Sequence, residues 1–343
     1  MRVMYVNKKE TVEDGEDRKL ENKTLVSIVC LTYNHQTYIR QALDSFIMQK
    51  TSFRYEILIH DDASTDGTAD IVREYDRKYP GMFHVVCQNE NQYSQGVEIC
   101  SEFLYPLAQG TYIALCEGDD YWTDPFKLQK QVDFLQENKD ISLCTARAAV
   151  IDAADGKTAG EIRPRRNASF FLTEQVIAGG GGLFATNSMV FRKKDALGFP
   201  DFLKRAPVGD YPLAVYLSLC GRVYYMDETM SVYRKNVKGS WSERHGNAEL
   251  DLPFLKAMET MFQELDQYTE YKYSPVISES MASIRFWVFS KSGCVKKMKE
   301  EPYREWYRSC RASWKARIFL CSCAPGLYRF LAEIKHFINK SVV

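Results

Sequence analysis

Between residues 25 and about 150, short unbroken apolar runs alternate with stretches whose apolar residues recur at helical spacing. Residues 26–31 form the first such run, and Ile39, Leu43, Phe46 and Ile47 then fall on one face of a helix over 38–48. A second strand over 55–60 ends at Asp61, and Ser64-Thr65-Asp66 supplies N-cap chemistry for a helix carrying Ala69, Ile71, Val72 and Tyr75 until Pro80 stops it. A third strand over 83–87 leads through the polar stretch 89–96 into a helix expected to end near Gly110, and a fourth over 111–116 delivers Asp119-Asp120. Strands alternating with helices of this length predict βαβ units, a parallel sheet and right-handed crossovers.

Beyond Val150 the pattern loosens into a basic loop (Arg163, Arg165, Arg166), four consecutive glycines at 179–182 and a strand-like 188–191. Asp210-Tyr211-Pro212 then opens a helix towards Cys220, and from about Ala248 the reading is helical. The division that follows is a lead-in over 1–24, an α/β domain over 25–245 whose halves meet near 136, and a helical basic extension over 246–343.

Equal numbers of basic and acidic residues, 45 each, give no global charge to attract a nucleic acid, so no nucleic-acid partner is expected. The N-terminus is charged and has no apolar core of a secretory signal. Ten cysteines are present, but Cys30, Cys87, Cys116 and Cys144 stand in strand-like apolar runs, which reads as reduced thiols and a cytoplasmic protein. Residues 291–340 carry twelve Lys or Arg against four Glu, with aromatic residues interleaved. That combination fits peripheral contact with an anionic membrane surface, or equally a solvated face on packed helices. It does not fit a span, since residues 318–331 are too short and contain Pro325 and Arg329.

Chemistry concentrates at the strand ends. Crossover helices cover both faces of an open α/β sheet, so its ligand crevice lies beyond the C-terminal tips of its strands. Asp61-Asp62 and Asp119-Asp120 both fall there, with no histidine or cysteine cluster beside them. Hard carboxylates in such small number suit Mg²⁺ or Mn²⁺ shared with phosphate oxygens. No Gly-x-Gly-x-x-Gly follows the first strand, which argues against a dinucleotide site and against a nucleotidyltransferase entry loop. Taken singly, Asp61-Asp62 reads as turn chemistry, and Tyr33-Asn34 as a turn whose Asn caps the next helix.

Taken together, Leu31-Thr32-Tyr33-Asn34, Asp61-Asp62-Ala63-Ser64-Thr65-Asp66-Gly67 and Cys116-Glu117-Gly118-Asp119-Asp120-Tyr121-Trp122 closely resemble the family-2 glycosyltransferases of GT-A fold. The resemblance is strong over 25–136, weaker through 188–192, Gly209-Asp210-Tyr211-Pro212-Leu213 and Val232-Tyr233-Arg234, and absent from the last hundred residues. It implies transfer of a sugar from a nucleotide-diphospho-sugar to an acceptor hydroxyl, with inversion and with a divalent cation. The half over 25–136 would then bind the nucleotide and 137–245 the acceptor.

Position by position, the resemblance places Thr32, Tyr33, Asn34 and Asp61 around the nucleoside, Asp119 near the ribose or donor sugar, and Asp120 on the metal. Tyr121 and Trp122 are expected to form a platform for an acceptor sugar, or to fill core. Inversion needs a general base, and Asp210 is the leading candidate, with a helix N-cap as its alternative reading and Asp201, Asp227 and Glu228 behind it. A histidine common in relatives after the Tyr-Arg pair is replaced here by Lys235-Asn236, which leaves Lys235, Lys238 and Trp241 to close over the diphosphate. The Gln-x-x-Arg-Trp motif of processive synthases is missing, so single addition is favoured. The expected enzyme is a hexosyl- or N-acetylhexosaminyltransferase, with a UDP-sugar as donor and a glycan or lipid-linked saccharide as acceptor, in bacterial surface-glycan assembly. The alternatives are a nucleotidyltransferase or a non-catalytic nucleotide-sugar-binding scaffold.

Overall fold

The computed structural model describes residues 23–240 and 248–323; most of the expected lead-in, Trp241 and the end of the basic extension lie outside the described residues. Strands β1 (Thr24–Thr32), β2 (Arg54–Asp61), β3 (Phe83–Cys87) and β4 (Tyr112–Leu115) pair in parallel, as the alternating pattern predicts. Short β5 (Tyr121–Trp122) follows, then β6 (Ile141–Asp152), β7 (Thr158–Ile162), β8 (Ser169–Phe171), β9 (Val190–Arg192) and β10 (Arg222–Lys235). The sheet order is β3-β2-β1-β4-β9-β6-β10-β5, with β7 on β6 and β8 on β10. β9 runs antiparallel between β4 and β6, while β6 and β10 are again parallel. The six principal strands therefore point one way, and their C-terminal ends share one edge.

Helices cover both faces, which is why the strands are apolar throughout rather than alternating. Val26, Ile28 and Cys30 face α1 (Ile39–Ile47), α2 (Thr68–Lys78) and α3 (Lys127–Glu137) through Leu43, Phe46, Val72, Leu128 and Val132. Val29, Leu58, Leu115 and Leu143 face the other way, towards α4 (Thr173–Gly179) and α5 (Asp210–Cys220). Helices α6 (Ala248–Tyr268) and α7 (Ser274–Lys291) insert Met258, Phe262, Leu265 and Ile277 into that same second core. Each fully buried Leu, Ile or Phe contributes about 1.5–3 kcal/mol, so both layers fix the strand edge firmly.

Two local expectations change. The helix expected before Gly110 is a 3₁₀ turn at Tyr93–Gln95 and a π-helical stretch at Cys100–Leu104. Pro106 explains the truncation, since it has no N–H and its ring obstructs a preceding helical turn. Cys87 is exposed at the end of β3, whereas Cys30, Cys116 and Cys144 are buried as expected. The long β10 has no counterpart in the sequence pattern, because Asp227 and Glu228 interrupt its apolar run. They are accommodated where its register against β6 shifts, and Asp227 is paired with Arg163 at 2.6 Å.

Candidate active site

Parallel pairing of β1 with β2 sets Thr32 beside Asp61 at the C-terminal edge. Both are buried, and Thr32 Oγ1 and Asp61 Oδ1 have no hydrogen-bond partner among the described residues. Leaving a buried polar atom unmatched costs about 1–3 kcal/mol, so such atoms gathered at a strand edge mark a place prepared for a ligand. Asp61 Oδ2 accepts from the Ser64 N–H at 3.1 Å, which fixes the carboxylate and so aims its free oxygen. Tyr33 is 44% exposed and offers a ring face beside them. Asn34 is used differently. Its side-chain oxygen accepts from the Thr65 N–H at 2.7 Å, locking the loops after β1 and β2 together. Asp62 likewise spends both oxygens on the N–H groups of Gln92 and Tyr93, at 2.7 and 3.0 Å.

Past β4 the chain continues along β1, the Gly118 N–H donating to the Leu31 carbonyl at 2.8 Å. A side chain at Gly118 would put its Cβ 2.7 Å from Thr32 Oγ1 and 3.0 Å from His35 Nδ1, so glycine is required by close approach. Around it stand Glu117, Asp119 and Asp120. Glu117 Oε2 is buried without a partner; burial, then the charge of Asp119, pushes its carboxyl up to about 8. Asp119 keeps a side chain 14% exposed, 3.7 Å from His35 Nε2.

Asp120 differs from the sequence reading. It is buried, and its two oxygens accept from the Asn187 side-chain amide at 2.7 Å and the Arg234 backbone N–H at 2.8 Å. Burial, then its acidic neighbours, pushes its pKa well above the carboxylate norm, while those two donors act in the opposite sense. With one buried donor on each oxygen Asp120 anchors the turn, and Asp119 is the more exposed member of the pair. Arg234 strengthens the anchor: its guanidinium bonds the Asp119 carbonyl and Gln41 and lies between the rings of Tyr38 and Tyr121.

Trp122 also departs from its expected platform role. It is 1% exposed, packed edge-on against Phe46, with its indole N–H on the Asn187 carbonyl at 2.7 Å. Of that pair, Tyr121 alone has surface to offer. The unpartnered ammonium of Lys127 sits 4.3 Å from the Trp122 ring centroid, and burial pulls its pKa down to about 7.

On the acceptor side, Asp210 is the first residue of α5, with Gly209 in the N-cap position. Its Oδ1 accepts from the adjacent Tyr211 N–H at 2.7 Å, and its Oδ2 faces the Thr186 hydroxyl at 3.3 Å. Burial raises its pKa, the direction wanted in a base working near neutrality. It lines a small open cleft with Val176, Gly180, Leu183, Phe184, Met189 and Tyr211, which brings the glycine run beside it. The charge of Asp210 also acts on Glu117, so donor-side and acceptor-side carboxylates are neighbours in space. The alternative bases are engaged elsewhere: Asp201 with Lys204, Asp227 with Arg163, and Glu228 with Lys130. Lys235 lies 3.8 Å from Asp152.

No group of three His, Cys, Asp or Glu side chains among the described residues is arranged to hold a metal. A hard cation sharing its shell with phosphates and water needs fewer, and the outward Asp119 beside the unpartnered Glu117 Oε2 meets that requirement. Sequence reasoning passed over Glu117, Thr186, Asn187, Arg234 and His35. A signal existed for Glu117, as a third acid two residues from Asp119, and for Arg234, in the Tyr-Arg pair of the resemblance, but none for Thr186, Asn187 or His35.

Residues 27–198, half of the chain, match the family model described as glycosyl transferase family 2. An uncharacterized protein of Mycobacterium tuberculosis is 38% identical over 216 residues, 63% of this chain, and the match spans 60% of that relative's length. The Escherichia coli enzyme UDP-Glc:alpha-D-GlcNAc-diphosphoundecaprenol beta-1,3-glucosyltransferase WfaP is 33% identical over 115 residues, 34% of this chain and 43% of its own. Among solved structures, S. aureus TarS 1-349 in complex with UDP superposes with a TM-score of 0.54 at 16% identity, covering 88% of this chain and 81% of that one. That likeness bears on the fold, which is α/β of GT-A type with C-terminal helices.

Proposed function

Because the chain belongs to glycosyl transferase family 2, we propose that it transfers a sugar from a UDP-sugar to an acceptor hydroxyl with inversion at the anomeric carbon. The observation that carries this reading is the convergence of unpartnered buried oxygens from Thr32, Asp61 and Glu117 on the edge where Asp119 and Asp210 also stand. Asp61 Oδ1 would accept the N3–H of uracil, with Tyr33 against the ring. Asp119, with Glu117 beside it, would hold the divalent cation. When bound, that cation neutralises charge on the leaving diphosphate.

Asp210 takes the proton of the acceptor hydroxyl as that oxygen bonds to the anomeric carbon. The bond from this carbon to the diphosphate oxygen breaks on the opposite face, and the nucleoside diphosphate leaves with the electron pair. Tyr121 would contact the acceptor ring. The proposed setting is surface-glycan assembly at the cytoplasmic face of a bacterial membrane, on a glycan or lipid-linked acceptor; WfaP, whose name specifies a diphosphoundecaprenol acceptor, supports it. The described residues contain no helix long and apolar enough to cross a membrane.

Calorimetry with UDP and CDP tests the donor half of this account. Cytosine has no hydrogen at N3, so Asp61 would be left unmatched at a cost of about 1–3 kcal/mol, and UDP should bind roughly 5- to 150-fold tighter. Equal affinities, or a UDP preference that persists unchanged in Asp61→Asn, would contradict the role of Asp61.

A further inference from the structure

The three-residue 3₁₀ turn Thr186–Ser188, just before β9, touches both halves of the site. Thr186 Oγ1 donates to Asp210 Oδ2 at 3.3 Å. The next residue, Asn187, is fully buried and uses every polar atom of its side chain. Its amide nitrogen donates to Asp120 Oδ2 at 2.7 Å and to the Val232 carbonyl at 3.1 Å, and its Oδ1 accepts from Ser231 at 2.6 Å. Its backbone carbonyl accepts the Trp122 indole N–H, and the Ser188 carbonyl accepts from Gln131 at 2.9 Å. Adjacent side chains on one rigid turn thus hold the acidic turn that carries Asp119 and the carboxylate that would take the acceptor's proton.

We propose that Thr186 and Asn187 are positioning residues that set the register between donor and acceptor: Asn187 through Asp120 aims Asp119, and Thr186 aims Asp210. The inference rests on the glycosyl-transfer reading. In-line displacement requires the attacking oxygen, the anomeric carbon and the leaving oxygen to be aligned, and a shift of an ångström in either carboxylate would degrade this. Linking both carboxylates to one turn removes their independent motion, because the turn is pinned on three sides by β5, β10 and α3. A two-residue register device also accounts for Asn187's bonding: with both N–H groups donating and the oxygen accepting, the amide has one orientation.

The experiment pairs steady-state transfer with nucleotide calorimetry on the full chain. Thr186→Val should lower kcat about tenfold, the size of one lost hydrogen bond to a charged group, with donor Kd unchanged, and Thr186→Ser should restore it. Asn187→Ser, chosen over larger changes because it keeps a hydroxyl in the cavity, should raise the Mn²⁺ concentration for half-maximal rate about tenfold while kcat at saturating Mn²⁺ changes less. A simple structural staple would instead lower activity in both variants in proportion to lost folded protein, without this split and without rescue by Ser; that pattern overturns the inference. Calorimetry tests the Asn187 arm independently of turnover. An Asn187→Ser chain whose UDP affinity keeps the wild-type Mn²⁺ dependence overturns the inference even if the wild type transfers nothing, whereas absence of transfer alone would overturn the glycosyl-transfer reading.

Discussion

Removing Asp120 and removing Asp119 should do opposite things, and the contrast separates the anchor from the metal-facing carboxylate. Asp120→Ala deletes the acceptor for two buried donors, the Asn187 amide at 2.7 Å and the Arg234 N–H at 2.8 Å. At about 1–3 kcal/mol for each orphaned donor, offset in part by relief of a buried charge, the net loss is about 2–4 kcal/mol. That is a large share of the 5–15 kcal/mol typical of a folded protein, and at about 2–4 °C per kcal/mol it lowers Tm by roughly 4–16 °C. Asp119→Ala removes a side chain whose contact is a 3.7 Å approach to His35, while the Asp119 carbonyl that Arg234 holds survives. Its Tm should stay within about 2 °C of wild type, the range of an ordinary surface change, yet its UDP affinity should no longer rise with Mn²⁺. Scanning calorimetry and titration calorimetry on the two variants give both numbers. An Asp120→Ala protein of wild-type Tm that loses the Mn²⁺ effect, beside an Asp119→Ala protein that keeps it, would return the metal to Asp120 and refute the reasoning.

Two further outcomes follow from the same structure. Lys127 is buried with no hydrogen-bond partner for its ammonium and a pKa of about 7 against 10.5 when unfolded. The unfolded chain therefore binds the extra proton between those values, so wild-type stability rises with pH across that window; Lys127→Met should stabilise by about 1–4 kcal/mol below pH 7 and by progressively less towards pH 10, and denaturation midpoints that show no such trend would count against it. Lys299 and Lys315 both lie over Tyr307, beside Arg304 and Arg308, and Phe319 is 58% exposed. Liposome co-sedimentation should accordingly require anionic lipid and weaken as salt shortens the Debye length, and binding indifferent to both would favour helices that merely present a solvated face.

The donor edge was legible because buried parallel strands announce themselves as apolar runs, and the polar residues that end them, Thr32 and Asp61, then mark the crevice. Asp210 was legible through Pro212, which placed the start of α5. What could not be read was which acid of Asp119-Asp120 is spent internally. That depends on Asn187 and Arg234, 67 and 114 residues further along the chain, and on a pairing between β5 and β10 that no local pattern encodes. The same long-range pairing decides the fates of Tyr121 and Trp122: in a two-residue strand adjacent side chains point to opposite faces, and one is buried by α1. Thr186 and Asn187 carry no sequence signal either, since a short polar turn before a strand is commonplace and only tertiary contacts give it two partners in the site.

Asp210→Asn tests the central claim most directly, because it preserves the shape of the side chain and removes its capacity to take a proton. Single-turnover transfer to a competent acceptor should fall by roughly 10² to 10⁴, the range supplied by general-base catalysis, while UDP and Mn²⁺ affinities and Tm stay near wild type. Wild-type transfer by the Asn variant, with nucleotide binding intact, would contradict the account by showing that Asp210 does not take the acceptor's proton.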